Sequence, residues 1–164
     1  MAEGRRSDAT LSAEWKKFRC SNITALVKGV SDRVRRDFPR VQISAAVFHN
    51  PETDPGEIGQ DWVRWGKAGY LDFLCPMNYY GGSDLAFKGL VESQMRALKG
   101  SKAKMRPGLG LSCWKDKTRD AVTMARQINI VRESGLDGFT VFDYDLRSEK
   151  VIPVMHTGPT ATGK

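Results

Sequence analysis

Four short apolar runs in this chain each end in a cluster of polar and aromatic residues. Amide and carboxylate groups can form paired hydrogen bonds to hydroxyls, and flat aromatic rings can cover the apolar C–H faces of a sugar. These residue types, repeated at four places, predict a carbohydrate pocket. The clusters are "HNPE" (His49, Asn50, Glu52), "MNYY" (Met77, Asn78, Tyr79, Tyr80), "SCWK" (Ser112, Cys113, Trp114, Lys115) and "DYD" (Asp143, Tyr144, Asp145).

Two aspartates of the last cluster, Asp143 and Asp145, are the candidate catalytic residues. Hydrolysis of a glycosidic bond ordinarily needs two carboxyl groups, about 5 Å apart or somewhat more. An ordinary structural explanation stays open for each candidate, because Asn and Asp often cap turns and aromatic rings often cover the edge of a core. The candidate substrate-binding residues are His49, Asn50, Asn78, Tyr79, Trp114 and Tyr144.

Other site chemistries find less support in the sequence. Gly108 and Gly110 lack the third glycine of a dinucleotide-binding turn, and no phosphate-binding GxxxxGK[ST] loop occurs. Ser112 has no GxSxG context, and Cys113 with His49 is a weak match to a nucleophile and its base. Three cysteines without a CxxC pair and two histidines predict neither a disulfide framework nor a zinc site. We therefore expect no metal and no cofactor.

The composition predicts one soluble globular domain. The chain has 164 residues with 40% hydrophobic content, enough for a single core. No stretch approaches the roughly 20 apolar residues of a membrane span, and the polar N-terminus has no signal-peptide h-region. A cytoplasmic location is the default that follows, and membrane association is not expected.

The formal charge of +7 is concentrated near the N-terminus. From Met1 to Arg40 the chain contains ten Lys or Arg residues and five Asp or Glu residues, an excess of +5. Arg33, Arg35, Arg36 and Arg40 could bind phosphates of a nucleic acid, which would make the chain a basic nucleic-acid-associated protein. A solvated helix face is the simpler explanation, so a nucleic-acid partner is not favoured.

Hydrophobic periodicity and turn residues predict an alternation of strands and helices. Helices then cross back over the sheet, so the strands run parallel and their carboxyl ends share one rim, where the four clusters would meet. Residues 1–14 are expected to be a disordered lead-in and residues 156–164 a frayed tail. The predicted order is a helix from about 21 to 37, a strand at 41–48, a helix at 60–68, a strand at 71–80, a helix at 83–100, a strand at 105–112, a helix at 118–135, a strand at 138–144 and a helix from about 148.

Several segments resemble the C-terminal half of glycosyl-hydrolase-family-10-like proteins. They are "WKKFRCSNITALVKGVS", "ISAAVF", "GQDWVRWGKAGYLDFLCPMNYY", "RPGLGLS" and "GLDGFTVFDYD", which cover about Trp15 to Met155. The resemblance implies an α/β fold, a partial (β/α)8 TIM barrel made of the last four β/α units with a parallel sheet, over residues 15–155. It also implies a polysaccharide substrate. Full-length proteins of this resemblance are commonly exported, which leaves the localisation open.

The sequence departs from that family at one important point. The Asp-Tyr-x-Arg-Tyr-Pro motif that ends the family's fourth strand does not occur here, and a full barrel needs about 250 residues. We therefore expect a half barrel that lacks part of the catalytic site, with its remaining acid drawn from Glu52, Asp143 or Asp145. Activity would require a complete or complemented barrel, and a non-catalytic carbohydrate-binding or scaffold module is the alternative.

A half barrel has two open strand edges, here near residues 41–48 and 138–144. Unpaired edges invite association with another chain. The expected consequence is a homodimer, a complex with a separate N-terminal half barrel, or poor solubility.

Overall fold

A computed structural model of the protein describes residues 8–79, 83–110, 121–143 and 148–156. Strands and helices alternate along these residues, as the sequence predicted. The elements are α1 (Asp8–Asp37), β1 (Ser44–Val47), α2 (Asp54–Glu57), α3 (Trp62–Ala68), β2 (Phe73–Pro76), α4 (Asp84–Ala97), β3 (Lys104–Met105), β4 (Gly108–Gly110), α5 (Ala121–Glu133), β5 (Thr140–Phe142) and α6 (Ser148–His156).

All strand pairs in this part of the chain are parallel. β1 pairs with β2 and β2 with β3, while β4 pairs with β5. A bridge between Met77 and Gly108 continues the order from β2 to β4. The strands therefore follow one another in chain order, β1, β2, β3 with β4, then β5, which confirms the predicted parallel α/β arrangement.

One side of the sheet carries the hydrophobic core. Val47, Leu74 and Leu109 are fully buried on successive strands, where they join a cluster with residues of the surrounding helices. The three-residue spacing of Trp62 and Trp65 on one face of α3 predicts that both pack in the core. Both belong to this cluster, so the prediction is confirmed. Side chains alternate between the two faces of a strand, so the neighbours of these core residues lie on the opposite side of the sheet.

The predicted third strand is divided into β3 and β4. Pro107 lies between them and has no N–H to donate, so the ladder is interrupted at that position. The backbone still follows the sheet, because Arg106 N donates to Leu74 O and Thr140 N donates to Pro107 O. β4 therefore continues the predicted third strand beyond Pro107 and pairs with β5.

Helix α1 is longer than predicted, beginning at Asp8 instead of near Ser21. Residues 8–14, assigned from sequence to a disordered lead-in, are therefore helical, whereas residues 1–7 lie outside the described part. The sequence also predicts one apolar face of this helix from residues at three- and four-residue spacing, namely Ile23, Leu26, Val27, Val30, Val34 and Phe38. This prediction is partly wrong, because Leu26, Val30 and Phe38 are exposed. Apolar residues occur around more than one side of α1, so periodicity alone could not select the side that packs.

The packed side of α1 is fixed by polar contacts with α3 and the strand region. The Trp65 indole Nε1 donates to Thr24 Oγ1 over 2.9 Å, in a buried contact. Near the end of α1, Arg35 contacts the Asp72 carboxylate, which also accepts from the backbone N–H of Ile43 just before β1. These bonds align α1 beside β1.

The inward face of α4 also differs in part from the one that its apolar spacing predicts, which consists of Leu85, Leu90, Val91, Met95 and Leu98. Leu85 is 79% exposed, whereas Phe87 and Gln94 are fully buried. Ser83 and Asp84 are both residue types that can cap the start of this helix, and in the structure Ser83 is the cap, accepting from Ala86 N. Leu85 lies in the first turn of α4, and Gln94 was missed because a polar residue was not expected inside.

Two helix glycines provide a matched test of this packing. A Cβ at Gly66 would lie 2.7 Å from Ser101 Oγ and 3.1 Å from Leu74 Cδ1, whereas a Cβ at the exposed Gly89 would meet nothing within 4 Å. Gly66→Ala should therefore lower the free energy of unfolding by about 1–3 kcal/mol through overpacking. Gly89→Ala should raise it by about 0.5–1 kcal/mol through helix propensity. Urea unfolding measures both, and equal effects of the two variants would contradict the packing of α3 against β2.

Candidate functional site

The loop after β1 places the first predicted cluster at the carboxyl end of the sheet. His49 is exposed and Asn50 is half-buried. The Asn50 Oδ1 accepts from the backbone N–H of Glu52 at 3.0 Å and of Thr53 at 3.3 Å. This Asx-type turn directs the chain into α2, so the amide oxygen of Asn50 already shapes its own loop.

The Asp54 side chain anchors this loop through two hydrogen bonds. Its Oδ2 accepts from Asn50 N at 3.0 Å and from the Trp62 indole at 3.2 Å. The carboxyl group is buried, and this burial raises the pKa of Asp54 above its usual value of 3.8, although the hydrogen bond from Trp62 opposes the rise. Sequence reasoning missed Asp54; the "TDPG" segment, with an acid before proline, was the available sign of a helix start.

The far end of the loop is attached to α1 and to β1. Arg19 Nη2 donates to the carbonyls of Gly56 at 2.8 Å and Glu57 at 2.6 Å. The backbone N–H of Phe48 donates to Gln60 Oε1 at 2.9 Å, closing the loop from its start to its end. His49, Asn50 and Glu52 therefore lie on a loop that hydrogen bonds hold at both ends.

A buried pair of amides joins the ends of β1 and β2. Asn78 Nδ2 donates to Gln94 Oε1 at 2.9 Å, and Gln94 Nε2 donates back to Asn78 Oδ1 at 2.7 Å. The same Gln94 Nε2 also donates to the carbonyl of His49 at 2.8 Å. The structure thus brings Asn78 beside the His49 backbone, with the Asn78 amide buried and paired inside the protein.

The ends of β2 and β5 meet across the glycines of β4. The rings of Tyr79 and Phe142 stack with centroids 5.4 Å apart. Gly108 lies beneath them, because a Cβ there would be 3.4 Å from Tyr79 Cε1 and 2.9 Å from Pro76 O. Lower on the same face, Thr140 Oγ1 contacts Cys75 Sγ at 3.3 Å, again across β4. The absence of side chains on the glycines of β4 is what allows these strands to contact one another.

Asp143 follows Phe142 directly and is half-buried at the carboxyl end of β5. It thus lies next to the Tyr79–Phe142 stack, and His49, Asn50, Asn78 and Tyr79 occupy the same end of the sheet. The remaining candidates, Trp114, Tyr144 and Asp145, lie outside the described residues. So do Tyr80, Ser112, Cys113 and Lys115, named in the same clusters.

Two further features concern only the described ranges. No group of three or more His, Cys, Asp or Glu side chains there is arranged to hold a metal ion. None of the helices in those ranges has the length and apolar character needed to cross a membrane.

With this geometry in place, the fold can be compared with known proteins. No protein-family model matches the sequence, and no curated protein matches it. The structure is similar to that of the PgaB (BpsB) glycoside hydrolase domain from Bordetella bronchiseptica, with a TM-score of 0.71 and 16% sequence identity. The match covers 96% of this chain and 46% of that chain, so the present chain spans about half the length of its solved neighbour.

The fold is therefore an α/β, glycoside-hydrolase-like fold with parallel strands. Its candidate site lies at the carboxyl ends of those strands, where loop residues of parallel α/β proteins usually bind their ligands. At 16% identity the likeness concerns the fold, and the chemistry of the site has to be argued from its own residues.

The amide pair gives a first test of how the site is held. Gln94→Leu would leave the buried Asn78 amide and the His49 carbonyl without their partner, at a cost of about 1–3 kcal/mol for each unsatisfied group. We expect a clear loss of stability and greater hydrogen exchange in the loop 48–54. Ser93→Ala, one residue away, removes a hydroxyl that bonds to Leu90 O within its own helix and should be nearly neutral. A Gln94→Leu protein as stable as Ser93→Ala would contradict a structural role for the pair.

The buried carboxyl of Asp54 predicts a particular pH dependence. Its folded-state pKa is raised, so between about 3.8 and that raised value the folded protein binds more protons than the unfolded chain. This residue's contribution to stability therefore falls as pH rises through that window. In the Asp54→Asn variant, the amide oxygen can accept the same two hydrogen bonds without a buried charge. The stability of this variant relative to the natural protein should increase with pH.

Asp137 supplies a control of opposite sign. A hydrogen bond from Lys104 lowers the pKa of Asp137, so its contribution appears as pH rises above the unfolded-state value. The stability of Asp137→Asn relative to the natural protein should therefore decrease over the acidic range. Urea unfolding of all three proteins from about pH 3.5 to 7 measures both trends. Parallel curves for the two variants would show that Asp54 is not desolvated as described.

Proposed function

We propose that this chain is a carbohydrate-binding domain with the fold of a glycoside hydrolase, acting on or binding a polysaccharide. The observation that carries the proposal is the glycoside-hydrolase-like fold, with a TM-score of 0.71 to a solved glycoside hydrolase domain. Polar and aromatic side chains at the carboxyl ends of its strands support it. In parallel α/β enzymes this rim carries the ligand.

The proposed pocket is centred on the Tyr79–Phe142 stack. The open face of an aromatic pair suits the C–H face of a sugar ring. Asp143, adjacent to the stack, would bind a hydroxyl or act as the acid, base or electrostatic stabiliser, with Asp145 as the other candidate acid. His49 and Asn50 would bind hydroxyls from the β1 loop. Trp114 and Tyr144 are proposed to complete the stacking surface.

Asn78 has a more specific proposed role. Its amide is paired with Gln94 in both directions, so a direct bond to a hydroxyl would require that pair to open. We assign it to positioning His49 and Tyr79 at the rim. The sequence-based assignment to substrate binding thus becomes an indirect one in the proposed site.

Hydrolysis requires more than the pocket. We propose that residues 15–155 form the last four units of a (β/α)8 barrel similar to family-10-like glycoside hydrolases, and that catalysis needs the other four. The match to only 46% of the solved domain is consistent with such a half. Alone, the chain would act as a binding module, which is the alternative function for which the same rim suffices.

The nucleic-acid alternative is weakened by the ion pairs of α1. Arg33 and Arg36 both contact Asp37, and Arg35 contacts Asp72. Three of the four arginines considered for phosphate binding therefore already contact a carboxylate, and Arg33 and Arg36 share that of Asp37. A protein binding through them would have to compete with these pairs.

Calorimetric titration with a panel of soluble polysaccharides and oligosaccharides tests the proposal. We expect binding without turnover of aryl glycosides. Asp143→Asn and Tyr79→Ala should each weaken binding at least tenfold, equivalent to about 1.4 kcal/mol. Asp137→Asn is the matched control, because Asp137 precedes the same strand at the opposite end of the sheet and pairs with Lys104. It should bind as the natural protein does.

Three results would contradict carbohydrate binding at the rim. If no carbohydrate binds, the function is not carbohydrate recognition. Equal losses in Asp143→Asn and Asp137→Asn would place the ligand away from the rim. Salt-sensitive binding of DNA or RNA, abolished by charge reversal at Arg40, would favour the nucleic-acid alternative.

A further inference from the structure

A groove of about 780 Å³ lies between helices α3 and α4 and the loop that follows β1. Its volume falls within the roughly 300–1,000 Å³ of typical ligand sites. Val63 and Lys67 line it from α3, four positions apart, and Leu90 and Ser93 line it from α4, three positions apart. Such spacing places side chains on one face of a helix, so the groove is formed by the facing sides of two helices.

Acidic side chains line the groove near the start of α3. Glu52 belongs to the loop after β1, and Asp61 is the N-cap of α3, where its Oδ1 accepts from Arg64 N at 3.2 Å. Asn50, a candidate sugar-binding residue, also borders this end of the groove. Glu52, considered from the sequence as an acid of the rim, therefore lines a second concave surface.

Basic side chains line the groove near the ends of both helices. Lys67 lies in the last turn of α3 and Arg96 in the last turn of α4. These helix ends adjoin, because a Cβ at Gly66 would lie 3.3 Å from Leu98 Cδ2. The groove therefore has an acidic end and a basic end.

The charges at the two ends are separated and available. Asp61 and Lys67 are six positions apart, which corresponds to about 9 Å along a helix. The side chains of Glu52, Lys67 and Arg96 are exposed, and within the described ranges they form no hydrogen bond or ion pair. An occupant can therefore pair with both ends without displacing an existing contact of these three residues.

We propose that the groove binds an extended segment of another polypeptide, in which a basic and an acidic residue are three positions apart. In a polyproline II segment, three residues make one turn and rise about 9.3 Å, so two such residues point to the same side at the spacing of the charges. The basic residue pairs with the acidic end of the groove and the acidic residue with the basic end. The two residues between them contact the aliphatic walls at Val63 and Leu90.

The walls of the groove favour this occupant over others. Both walls are helices that use their backbone groups internally, so a bound strand would find no backbone partner, whereas a polyproline II backbone remains solvated. Among the described residues that line the groove there is no aromatic ring on which a sugar could stack. The carboxylates of Glu52 and Asp61 would repel the phosphates of a nucleic acid. A polypeptide segment with charges of both signs is therefore the occupant that matches the lining.

Capped tetrapeptides titrated into the isotope-labelled full chain test the proposal by nuclear magnetic resonance. The probe Lys-Leu-Ala-Glu carries both charges, whereas Lys-Leu-Ala-Lys and Glu-Leu-Ala-Glu carry one sign each. We expect the mixed-charge probe to shift the amide signals of 50–52, 61–67 and 90–97 and to bind roughly tenfold more tightly than the other two. Raising the salt concentration should weaken its binding, because exposed ion pairs are screened.

A charge reversal tests the assignment of the basic end. In the protein that combines Lys67→Glu with Arg96→Glu, the preference should change to Lys-Leu-Ala-Lys by about tenfold. Lys99→Glu combined with Lys102→Glu is the matched control, because both lysines are exposed, lie outside the lining of the groove and change the net charge equally. This control should keep the preference of the natural protein for Lys-Leu-Ala-Glu.

Three results would overturn the proposal: no shift in the groove with any probe, equal binding of all three probes, or an unchanged preference after the charge reversal. A groove that responds to a polysaccharide instead of the peptides would do the same. Peptide binding is independent of the proposed sugar site, so Asp143→Asn should leave it unchanged. The charge-reversed protein should in turn bind carbohydrate as the natural protein does, which makes a failure of either proposal recognisable without the other.

Discussion

The unequal burial of the two sides of one parallel sheet governs this structure. Val47, Leu74 and Leu109 face the helices and are fully buried, whereas on the opposite face of the sheet Ser44, Ala46 and Thr140 of the outer strands β1 and β5 are exposed. A strand places alternate side chains on opposite faces, so covering one side cannot cover the other. The helices thus cover one side of the sheet, and the outer strands keep exposed residues on the other.

The rim of the sheet is held by polar bonds that the core alone would not provide. Gln94 joins the ends of β1 and β2, and Asp54 anchors the loop between β1 and α3. Buried polar groups are costly unless paired, so each of these contacts specifies one arrangement of the rim. Their consequence is that His49, Asn50 and Tyr79 lie on constrained backbone at the rim.

Fold and chemistry give different kinds of support to a carbohydrate function. The likeness to a glycoside hydrolase domain concerns the path of the chain, and similar folds carry unrelated activities. The stacked rings of Tyr79 and Phe142 beside Asp143 supply the local argument. Together they are the support for the proposed sugar recognition at the rim, and hydrolysis is proposed only for a completed barrel.

Local patterns in the sequence determined most of the elements. Alternating apolar runs and caps such as Ser83 and Gly69 located the strands and helices, and the order of elements predicted a parallel sheet with polar residues at its carboxyl ends. These features depend on neighbours a few positions apart. That is why α3 with its buried tryptophans was predicted correctly.

Only the tertiary structure decided which side of each element is buried and which polar groups are paired. Leu26 and Leu85 are exposed although apolar, and Gln94 and Asp54 are buried although polar. The contact of Tyr79 with Phe142 joins residues far apart in the chain and exists because β4 carries glycines between them. Such outcomes depend on residues distant in the chain, whose contacts no local periodicity contains.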